Sequence, residues 1–411
     1  MRLFSNEALS GIKVLDLCRV VSGPFATMQL GDLGADIVKI EDPRGGDESR
    51  RYGPPFINGE SAYFLSINRN KRSCAVDLKS VGGREVVLAL AGVADVVVDN
   101  FRPGTLDKWG LSYQSMSANN PGLIQCSISG FGRTGPDASR PGYDLILQGE
   151  SGTMDITGDP DGPPMKVGTS IADLVTGLYA SQAVLAALLK RRTTGRGSQV
   201  DVSMLDAMAS LLTFNAGMYF ASGKNPERRG NVHPTISPYE TFATSDGWIN
   251  VGVANDKFWS MFCAVIGDRA LETDERFHTA PKRAANRNVL AEILKPLFAS
   301  KTRSDWLGAL SAAGIPCGAI KTVGEVCETP QLTERGMVQS VEHRVAGDVR
   351  FVARPIRFED LPPAPSTPPP LFGEHTAEVL SEWLGWSSPV LEKFAALGAF
   401  GDTMSVEQHA E

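Results

Sequence analysis

Strand-like and helix-like runs of apolar residues alternate through the first half of the chain. Between the strand-like runs, residues 24–33, with a proline in the first turn, and residues around 84–92 have helix-forming patterns. Strands that alternate with helices predict an α/β fold, in which a parallel sheet is covered by helices on both faces. The predicted strands lie at residues 12–17, 35–41, 73–78, 95–101, 123–129 and 200–204.

Ligands of an open parallel sheet bind outside the carboxyl ends of its strands. The segments that follow the predicted strands are therefore the first candidates for a functional site. They are residues 18–24, 42–50, 100–103 and 130–136.

The second half of the chain has a different pattern. A helix predicted over residues 205–222 is followed by a polar stretch at 223–238 and then by a hairpin pattern over 239–253. Three helical patterns come next, between residues 256 and 313. This succession predicts a second, smaller domain of the α+β class.

We therefore expect two domains joined by long linkers. Residues 1–222 form the large domain, 223–238 the linker, and 239–330 the small α+β domain. Residues 361–370 form a stiff proline-rich connector. The chain from about 340 to 411 is expected to return and complete the large domain.

The apolar segment at residues 167–189 predicts a helix with one carboxylate, Asp173, in its first turn. Ser170 stands at the predicted N-cap, and a serine followed three residues later by an acid is an ordinary capping box. The free N–H groups and the positive end of the helix favour an ionised carboxylate, so the position also suits a nucleophile. On the pattern alone, capping is the preferred interpretation.

Composition and charge exclude several classes of protein. The 411 residues are 42% hydrophobic and 21% charged, as in soluble globular proteins. A net charge of -7 argues against a nucleic-acid or membrane-surface binder. The six cysteines form no C-x-x-C pair. No apolar run is long enough to span a bilayer. We expect no signal peptide, because the chain enters a predicted strand almost at once. We expect a cytoplasmic location.

Common catalytic motifs are absent from the sequence. It has no G-x-G-x-x-G after the first strand, no P-loop motif and no G-x-S-x-G, and its five histidines are isolated. We therefore expect no metal site and no permanently bound cofactor. Cationic residues near predicted strand ends, at 68–72 and at Lys108, Arg133 and Arg140, suit a diphosphate together, although each alone is an ordinary surface charge.

Seven stretches, taken together and in order, resemble the class III CoA-transferase family (CaiB/BaiF type) over almost the whole chain. The segments GPFATMQLGDLGA and RYGPPF favour its succinate–hydroxymethylglutarate CoA-transferase branch. The seven stretches are residues 11–41, 68–73 (NRNKRS), 98–111, 127–136 (SISGFGRTGP), 141–146 (PGYDLI), 170–180 (SIADLVTGLYA) and 372–376 (FGEHT).

The resemblance implies that Asp173 is the nucleophile. Its carboxylate would attack an acyl-CoA thioester, giving an aspartyl anhydride and then an aspartyl-CoA thioester that passes CoA to a carboxylic acid. Coenzyme A and acyl-CoA are then substrates, and no metal is needed. The branch, together with Arg50 and Arg51 near a strand end, favours a dicarboxyl-CoA donor such as succinyl-CoA.

Other site residues follow from positions that match the family. Val21 stands where formyl-CoA transferase has a glutamine, and Asp144 replaces a glutamate. The acyl site would be lined by Val21, Ser22, Tyr143, Asp144, Gly252 and Asn255. CoA would be bound by Val20, Asn70, Lys71, Arg72, Asn100, Phe101 and Lys108, with Arg140 added on charge and position. The family fold implies a Rossmann-like large domain and an interlocked homodimer.

Two alternatives remain open from the residues. A 2-methylacyl-CoA racemase of the same fold uses a histidine in a G-H-D motif, where this chain has Gly142, Tyr143 and Asp144. A tyrosine is a poor base for an α-carbon at neutral pH, which disfavours this activity. An inactive CoA-binding subunit is disfavoured because Asp173 and Ser170 are both present.

Overall fold

In the computed structural model, which describes residues 7–360 and 366–401, the strands of the first half form one parallel sheet. Its strand order is β5-β2-β1-β6-β7-β8, while β3 and β4 form a separate short hairpin. The strands are β1 Lys13–Asp16, β2 Asp36–Glu41, β3 Phe56–Ile57, β4 Glu60–Ser61, β5 Lys71–Ala75, β6 Val96–Asp99, β7 Ile124–Ser129 and β8 Gln199–Ser203.

The sheet changes its direction of growth between β1 and β6. Successive strands are added on one side from β1 through β2 to β5, and on the other side from β6 to β8. In open parallel sheets such a reversal opens a crevice at the carboxyl ends, where ligands bind. The loops after β1 and β6 flank this crevice, as expected from the sequence for residues 18–24 and 100–103.

Helices cover both faces of the sheet, because β1 and its neighbours are apolar on both sides. Val14 belongs to the buried cluster with residues of α1, α7 and α8, and Leu15 to the opposite cluster, with residues of α3. The helices are α1 Ser22–Asp32, α2 Ala62–Ile67, α3 Val81–Val93, α4 Thr105–Lys108, α5 Tyr113–Ser117, α6 Asp144–Glu150, α7 Ile171–Thr194, α8 Met204–Ser210 and α9 Thr213–Ser222. The single helix predicted over 205–222 is wrong: the chain breaks between α8 and α9, where Thr213 has a left-handed φ of 32°.

Helix α7 is the longest helix of the described residues, with 24 residues. Its most apolar stretch has a mean hydropathy of 1.5, so by length and composition alone it meets the criterion for a membrane span, contrary to the expectation from sequence. Here it packs against α1 and β7 and buries a stripe that includes Ala172, Gly177, Ala180 and Val184. One face of α7 is thus packed within the first unit, while Leu178 and Leu189 on the helix are at least half exposed.

A second unit consists of residues 154–165 and 218–335. Its sheet has the antiparallel order β11-β10-β9, and an aromatic core in which Phe298 stacks on Phe242 with ring centroids 4.2 Å apart. Its strands are β9 Tyr239–Thr244, β10 Gly247–Gly252 and β11 Cys317–Ala319. Its helices are α10 Asp256–Ile266, α11 Ala270–Thr273, α12 Ala280–Ala285, α13 Arg287–Ala299, α14 Arg303–Ala312, α15 Val323–Cys327 and α16 Pro330–Glu334.

Residues 154–165 had been predicted within the large domain. Arg228 donates to the Asp155 carbonyl oxygen at 3.0 Å and also to the Gly162 carbonyl, which ties this loop to the second unit. A polar loop carries no apolar pattern that could reveal such an attachment.

The chain from residue 336 returns to the first unit. Strands β12 Val338–His343 and β13 Gly347–Val352 form a hairpin, and α17 Thr376–Leu384 and α18 Ser388–Ala396 pack against α3. Part of the proline-rich connector, residues 361–365, lies outside the described residues.

Gly177 allows α7 to approach α1 closely. A Cβ at this position would lie 2.7 Å from the Ser22 carbonyl oxygen and 2.9 Å from the Phe25 ring. We expect Gly177→Ala to destabilise the protein by about 1–3 kcal/mol, measured by thermal unfolding. Gly92 in α3 is the matched control, because a Cβ at that position would meet no atom within 4 Å and alanine is the better helix former there. A Gly177→Ala protein that is as stable as Gly92→Ala would contradict this account.

Candidate active site

The loop after β1 is held to the sheet by side chains that bind its backbone. Asp16 Oδ1 accepts a hydrogen bond from the Cys18 amide at 2.9 Å. Asn100, directly after β6, accepts from the Arg19 amide at 2.9 Å and donates to the Arg19 carbonyl at 2.7 Å. The loops on the two sides of the crevice are thereby joined, and the start of α1 has a defined place.

Asp173 meets this loop from the first turn of α7. Its carboxyl group forms a side-chain hydrogen bond with Ser22, the first residue of α1. Val21 is buried beside Met28, and Leu174 of α7 packs against the same small apolar cluster. The first turns of the two helices therefore meet at the loop that follows β1.

The N-terminus of α7 is capped in another way than predicted. Ser170 occupies the N-cap position, but its side chain makes no capping hydrogen bond. Instead, Asp144 of α6 accepts a hydrogen bond from the Ala172 amide at 2.9 Å and one from the Gln148 side chain at 2.8 Å. The capping-box role predicted for Ser170 and Asp173 is wrong, because Asp144 supplies the capping carboxylate.

The expectation that the helix end keeps Asp173 ionised is also wrong. Burial raises the pKa of Asp173, the charge of Asp144 raises it further, and the hydrogen bond from Ser22 lowers it in part, so that the pKa is about 7. Much of the carboxyl group is therefore protonated at neutral pH. Among the described residues, no cation forms a salt bridge with Asp173 and offsets this effect.

Two tyrosines lie beside Asp173. The Tyr63 hydroxyl hydrogen-bonds Ser170, and the pKa of Tyr63 is raised by burial and by the charge of Asp173. Tyr52 packs edge-on against Tyr63, with ring centroids 5.4 Å apart. They give the surroundings of the carboxyl group an aromatic wall with hydroxyl donors.

Tyr143, predicted to line the acyl site, is the N-cap residue of α6 and is 70% exposed. The pKa of Tyr52 is raised mainly by burial and by the charge of Glu48, and Tyr143 is close enough to Tyr52 to raise it further. Tyr143, Tyr52 and Tyr63 are thus neighbours around the first turns of α6 and α7.

The two adjacent arginines after β2 have opposite environments. Arg50 donates to both carboxylate oxygens of Glu41 at 2.7 Å and stacks over Phe64 at 3.7 Å, and only 9% of its side chain is exposed. The prediction that Arg50 binds a substrate carboxylate is therefore wrong. Arg51 is exposed and donates to the Gly45 carbonyl at 3.1 Å. Its guanidinium group has further donors for an anion.

Four of the predicted CoA-binding residues lie at the carboxyl ends of β1 and β6. Val20 is half-buried in the loop after β1, and Asn100 uses its amide group to hold that loop. Phe101 is buried, packs edge-on against Trp109 and lies beneath the Arg19 guanidinium at 5.0 Å. Lys108, the last residue of α4, is exposed. The structure brings these four side chains to one edge of the sheet.

The predicted phosphate-binding loop at residues 70–72 is largely part of β5. Lys71 and Arg72 begin that strand and are buried. Asn70 donates to Asp32 at 2.8 Å and accepts from the Thr367 amide at 2.7 Å. Lys71 Nζ donates to Asp16, to the Pro24 carbonyl and to Asn68 at 2.8 to 3.0 Å. Arg72 pairs with Asp36, Glu378 and Glu382 at 2.6 to 3.0 Å.

These contacts argue against a direct role of Asn70, Lys71 and Arg72 in binding phosphate, because their polar groups, apart from the buried Arg72 Nε, are engaged within the protein. Each residue instead joins strands or helices that are far apart in sequence. In the sequence, a basic cluster that binds phosphate cannot be distinguished from one that forms ion pairs within the protein.

Three predicted residues remain, one in the first unit and two in the second. Arg140 is exposed on the surface, where it pairs with Asp137 and Glu150 at 3.2 and 2.7 Å. Gly252 ends β10 in the second unit, and Asn255 is the N-cap of α10, accepting a hydrogen bond from the Phe258 amide at 2.9 Å. For Asn255 this capping bond is a structural role of its own.

Sequence reasoning missed the buried charges beneath the loop after β1. Asp16, Lys39 and Asp47 are at most 1% exposed. A signal was present, since Asp16 and Lys39 interrupt the apolar runs KVLDL and DIVKIE at positions that a buried strand normally fills with apolar residues.

Among the described residues, no group of three or more acidic, histidine or cysteine side chains is arranged to hold a metal ion.

Comparison with known proteins identifies relatives that match nearly the whole chain. Residues 9–376 match the family model described as CoA-transferase family III. The chain is 39% identical over 405 residues to the succinyl-CoA:glutarate CoA-transferase of Mus musculus, covering 98% of this chain and 92% of that protein. It is 41% identical to the succinate–glutarate CoA-transferase of Agrobacterium fabrum, covering 91% of this chain and 95% of that protein.

Among solved structures, a CaiB/BaiF family protein from Brucella suis is similar to this chain with a TM-score of 0.85 and 43% identity. The match covers 92% of this chain and 100% of the Brucella chain. The mixed α/β architecture with its six-stranded parallel sheet is thus an architecture of CaiB/BaiF proteins.

The raised pKa of Asp173 predicts how its replacement changes stability. The folded pKa of about 7 lies above the ordinary value of 3.8, so the carboxyl group lowers stability increasingly as pH rises from about 4 to 7. Asp173→Asn should therefore raise the free energy of unfolding by on the order of 1–4 kcal/mol at pH 8 and by less at pH 5, measured as an upward shift of the melting midpoint.

The control for this measurement is Asp206→Asn, which removes an exposed carboxylate from the first turn of α8. It should raise the midpoint at neither pH, since that charge favours the helix end. If Asp173→Asn lowered the midpoint at both pH values, the unfavourable, unpaired charge inferred for the half-buried Asp173 would be refuted.

Proposed function

Because the chain belongs to CoA-transferase family III, we propose that it carries CoA from a succinyl-CoA-type thioester to a dicarboxylic acid, with Asp173 as the nucleophile. The observation that carries this proposal is the Asp173 carboxyl group itself. It lies at the loop after β1, in a hydrogen bond with Ser22 and without a salt bridge among the described residues. A carboxyl group that is half-buried but not used for pairing is available for covalent chemistry.

The proposed reaction begins with the ionised form of Asp173. Its oxygen attacks the thioester carbonyl, the C–S bond breaks, and CoA leaves as a thiolate, so that a mixed anhydride remains on Asp173. The thiolate then attacks the aspartyl carbonyl and releases the donor acid as a carboxylate. The product is an aspartyl-CoA thioester.

The second half of the reaction mirrors the first. The acceptor carboxylate attacks the aspartyl-CoA thioester, which gives a second anhydride and again frees the thiolate. The thiolate attacks the acceptor carbonyl, and the new acyl-CoA leaves with Asp173 restored as a carboxylate. Every nucleophile and leaving group is an anion, so these steps need no metal and no strong base.

The start of α1 supports this chemistry electrostatically. The first N–H groups of a helix have no partner within the helix, and they give its end a partial positive charge. Ser22, which hydrogen-bonds Asp173, is the first residue of α1. We propose that the N–H groups of this turn stabilise the oxyanion that forms when Asp173 or the thiolate attacks a carbonyl.

For CoA itself, we propose the crevice between the loops after β1 and β6. Asn100, Phe101 and Lys108 lie along it, and the exposed Lys108 ammonium is suited to a phosphate group. The buried Asn70, Lys71 and Arg72 are not part of this proposal.

The identity of the acids rests on two supports. The mouse and Agrobacterium relatives carry succinyl-CoA, succinate and glutarate in their names. In this chain, the exposed Arg51 lies next to Tyr52, whose ring packs on Tyr63 beside Asp173. We propose that Arg51 pairs with the distal carboxylate of the bound acid.

We also propose a homodimer. Helix α9 buries none of its residues, and Phe214 and Phe220 are 61% and 81% exposed. A second copy of the chain would cover this apolar surface, which is unusual for a monomer. Sedimentation velocity measures the mass directly, and a monomer would reject the proposal.

The nucleophile is tested by Asp173→Ala. We expect CoA transfer between succinyl-CoA and glutarate to fall at least ~1000-fold, because no covalent intermediate can form. Acid quenching of the unaltered protein with succinyl-CoA should leave a CoA adduct on the peptide that carries Asp173, detected by mass spectrometry. Asp206→Asn, at the start of another helix, serves as the control and should keep both activity and adduct. Full activity in Asp173→Ala would exclude the assignment.

The role of Arg51 is tested by comparing acids. Arg51→Ala should raise the KM for dicarboxylates such as glutarate about 10- to 100-fold, in line with the loss of one charge-assisted pair, and leave the KM for monocarboxylates nearly unchanged. Arg51→Lys should restore part of the loss. Arg44→Ala removes an exposed arginine of the same loop, paired with Asp42, and should change neither value. An equal effect on mono- and dicarboxylates would show that Arg51 does not read the distal charge.

A further inference from the structure

Val20, in the loop that presents Ser22 to Asp173, has an unusual backbone. Its φ of 68° lies in the left-handed region, which a β-branched residue adopts only when its surroundings impose it. Such strain is costly, and the chain would relax if nothing held the Val20 peptide in place. A neighbouring group must therefore hold it.

The holding group is the Asp47 carboxylate. Its two oxygens accept the Val20 N–H at 3.1 and 3.3 Å, and Oδ1 also accepts from the amide and hydroxyl of Ser49 at 2.9 and 2.8 Å. Its Oδ2 forms a salt bridge of 2.8 Å with Lys39, and neither side chain is exposed. A buried, multiply bonded carboxylate of this kind has little freedom to move.

Lys39 holds the other side of the same loop. In addition to Asp47, its Nζ donates to the Cys18 carbonyl oxygen at 2.8 Å. One buried ion pair thus binds the backbone both before and after Arg19. Two residues beyond Val20 stands Ser22, the residue that contacts Asp173.

We propose that Asp47 and Lys39 are positioning residues of the transferase, which hold the Val20 peptide in its strained conformation and thereby place the start of α1 against the nucleophile. The proposal rests on the assignment of Asp173 under the proposed function. An ion pair needed only for folding could bond to any buried partner, whereas both members of this pair bind the loop: Lys39 donates to the Cys18 carbonyl, and Asp47 accepts from the Val20 N–H. Burial disfavours the charged form of each group, but the charge of each partner stabilises the charged form of the other. The pKa of Asp47 is therefore lowered to about 2, and that of Lys39 is raised. Both are charged throughout the neutral range.

A double-mutant cycle tests the inference, because glycine adopts a positive φ without strain. Asp47→Ala should lower kcat for CoA transfer at least ~10-fold in the natural background. In the Val20→Gly background the same substitution should lower kcat less than about 3-fold, since less strain is left for Asp47 to oppose. Asp47→Asn, which keeps an acceptor for the Val20 N–H but loses the charge, should fall between these values and serves if Asp47→Ala does not fold.

A second buried pair provides the control for a purely structural effect. Asp32 pairs with Arg69 at 2.5 Å at the far end of α1, away from the loop after β1. Asp32→Asn should lower the melting midpoint, and any loss of kcat should be equal in both backgrounds. If Asp47→Ala costs the same kcat with and without Val20→Gly, or costs none, the inference is overturned. An active Asp173→Ala protein would instead overturn the proposed function, so the two failures are distinct.

Discussion

The carboxyl edge of the parallel sheet depends on the mutual neutralisation of buried charges. Asp16, Lys39, Asp47 and Lys71 are each at most 2% exposed, and any one of them alone would be costly to bury. Lys71 pairs with Asp16 and Lys39 with Asp47, so β5 is joined to β1, and β2 to the loop that follows it. The same groups also bind the backbone around Cys18 and Pro24. Charge neutralisation and the shape of the loop after β1 therefore depend on one set of interactions.

Asp173 differs from these residues because no cation pairs with it among the described residues. Partial burial therefore raises the pKa of Asp173 to about 7, whereas the pKa of Asp47, which is fully buried but has a cationic partner, is lowered to about 2. A carboxylate with a higher pKa is a more basic nucleophile, at the expense of stability in the folded state. Asp144 contributes to both properties, since its charge opposes that of Asp173 while its oxygen caps the helix that carries Asp173.

The features that sequence could predict are those that depend on local pattern. The apolar runs predicted the strands of the parallel sheet, and the chain segments after them predicted the edge at which Asp173, Ser22 and Asn100 meet. Whether an individual charged residue is buried or exposed could not be predicted from local pattern. Arg72 finds its partners in Glu378 and Glu382, about three hundred residues later in the chain. No pattern near Arg72 indicates whether such partners exist.

The pair Arg50 and Arg51 shows why, under the proposed function, the chemistry and the choice of acid are separable. Arg50 is bound to Glu41 on the side of the loop that faces the sheet, where a substitution would disturb the buried charges. Arg51, one residue later, faces outward with Tyr52 and contributes nothing to that network. Under the proposed function, residues on the outward side of this loop can therefore vary with the acid that is bound, while the inward side keeps the Val20 peptide and Ser22 in register with Asp173. Selectivity for the acid and placement of the proposed nucleophile would then evolve under different constraints, although both depend on the same loop.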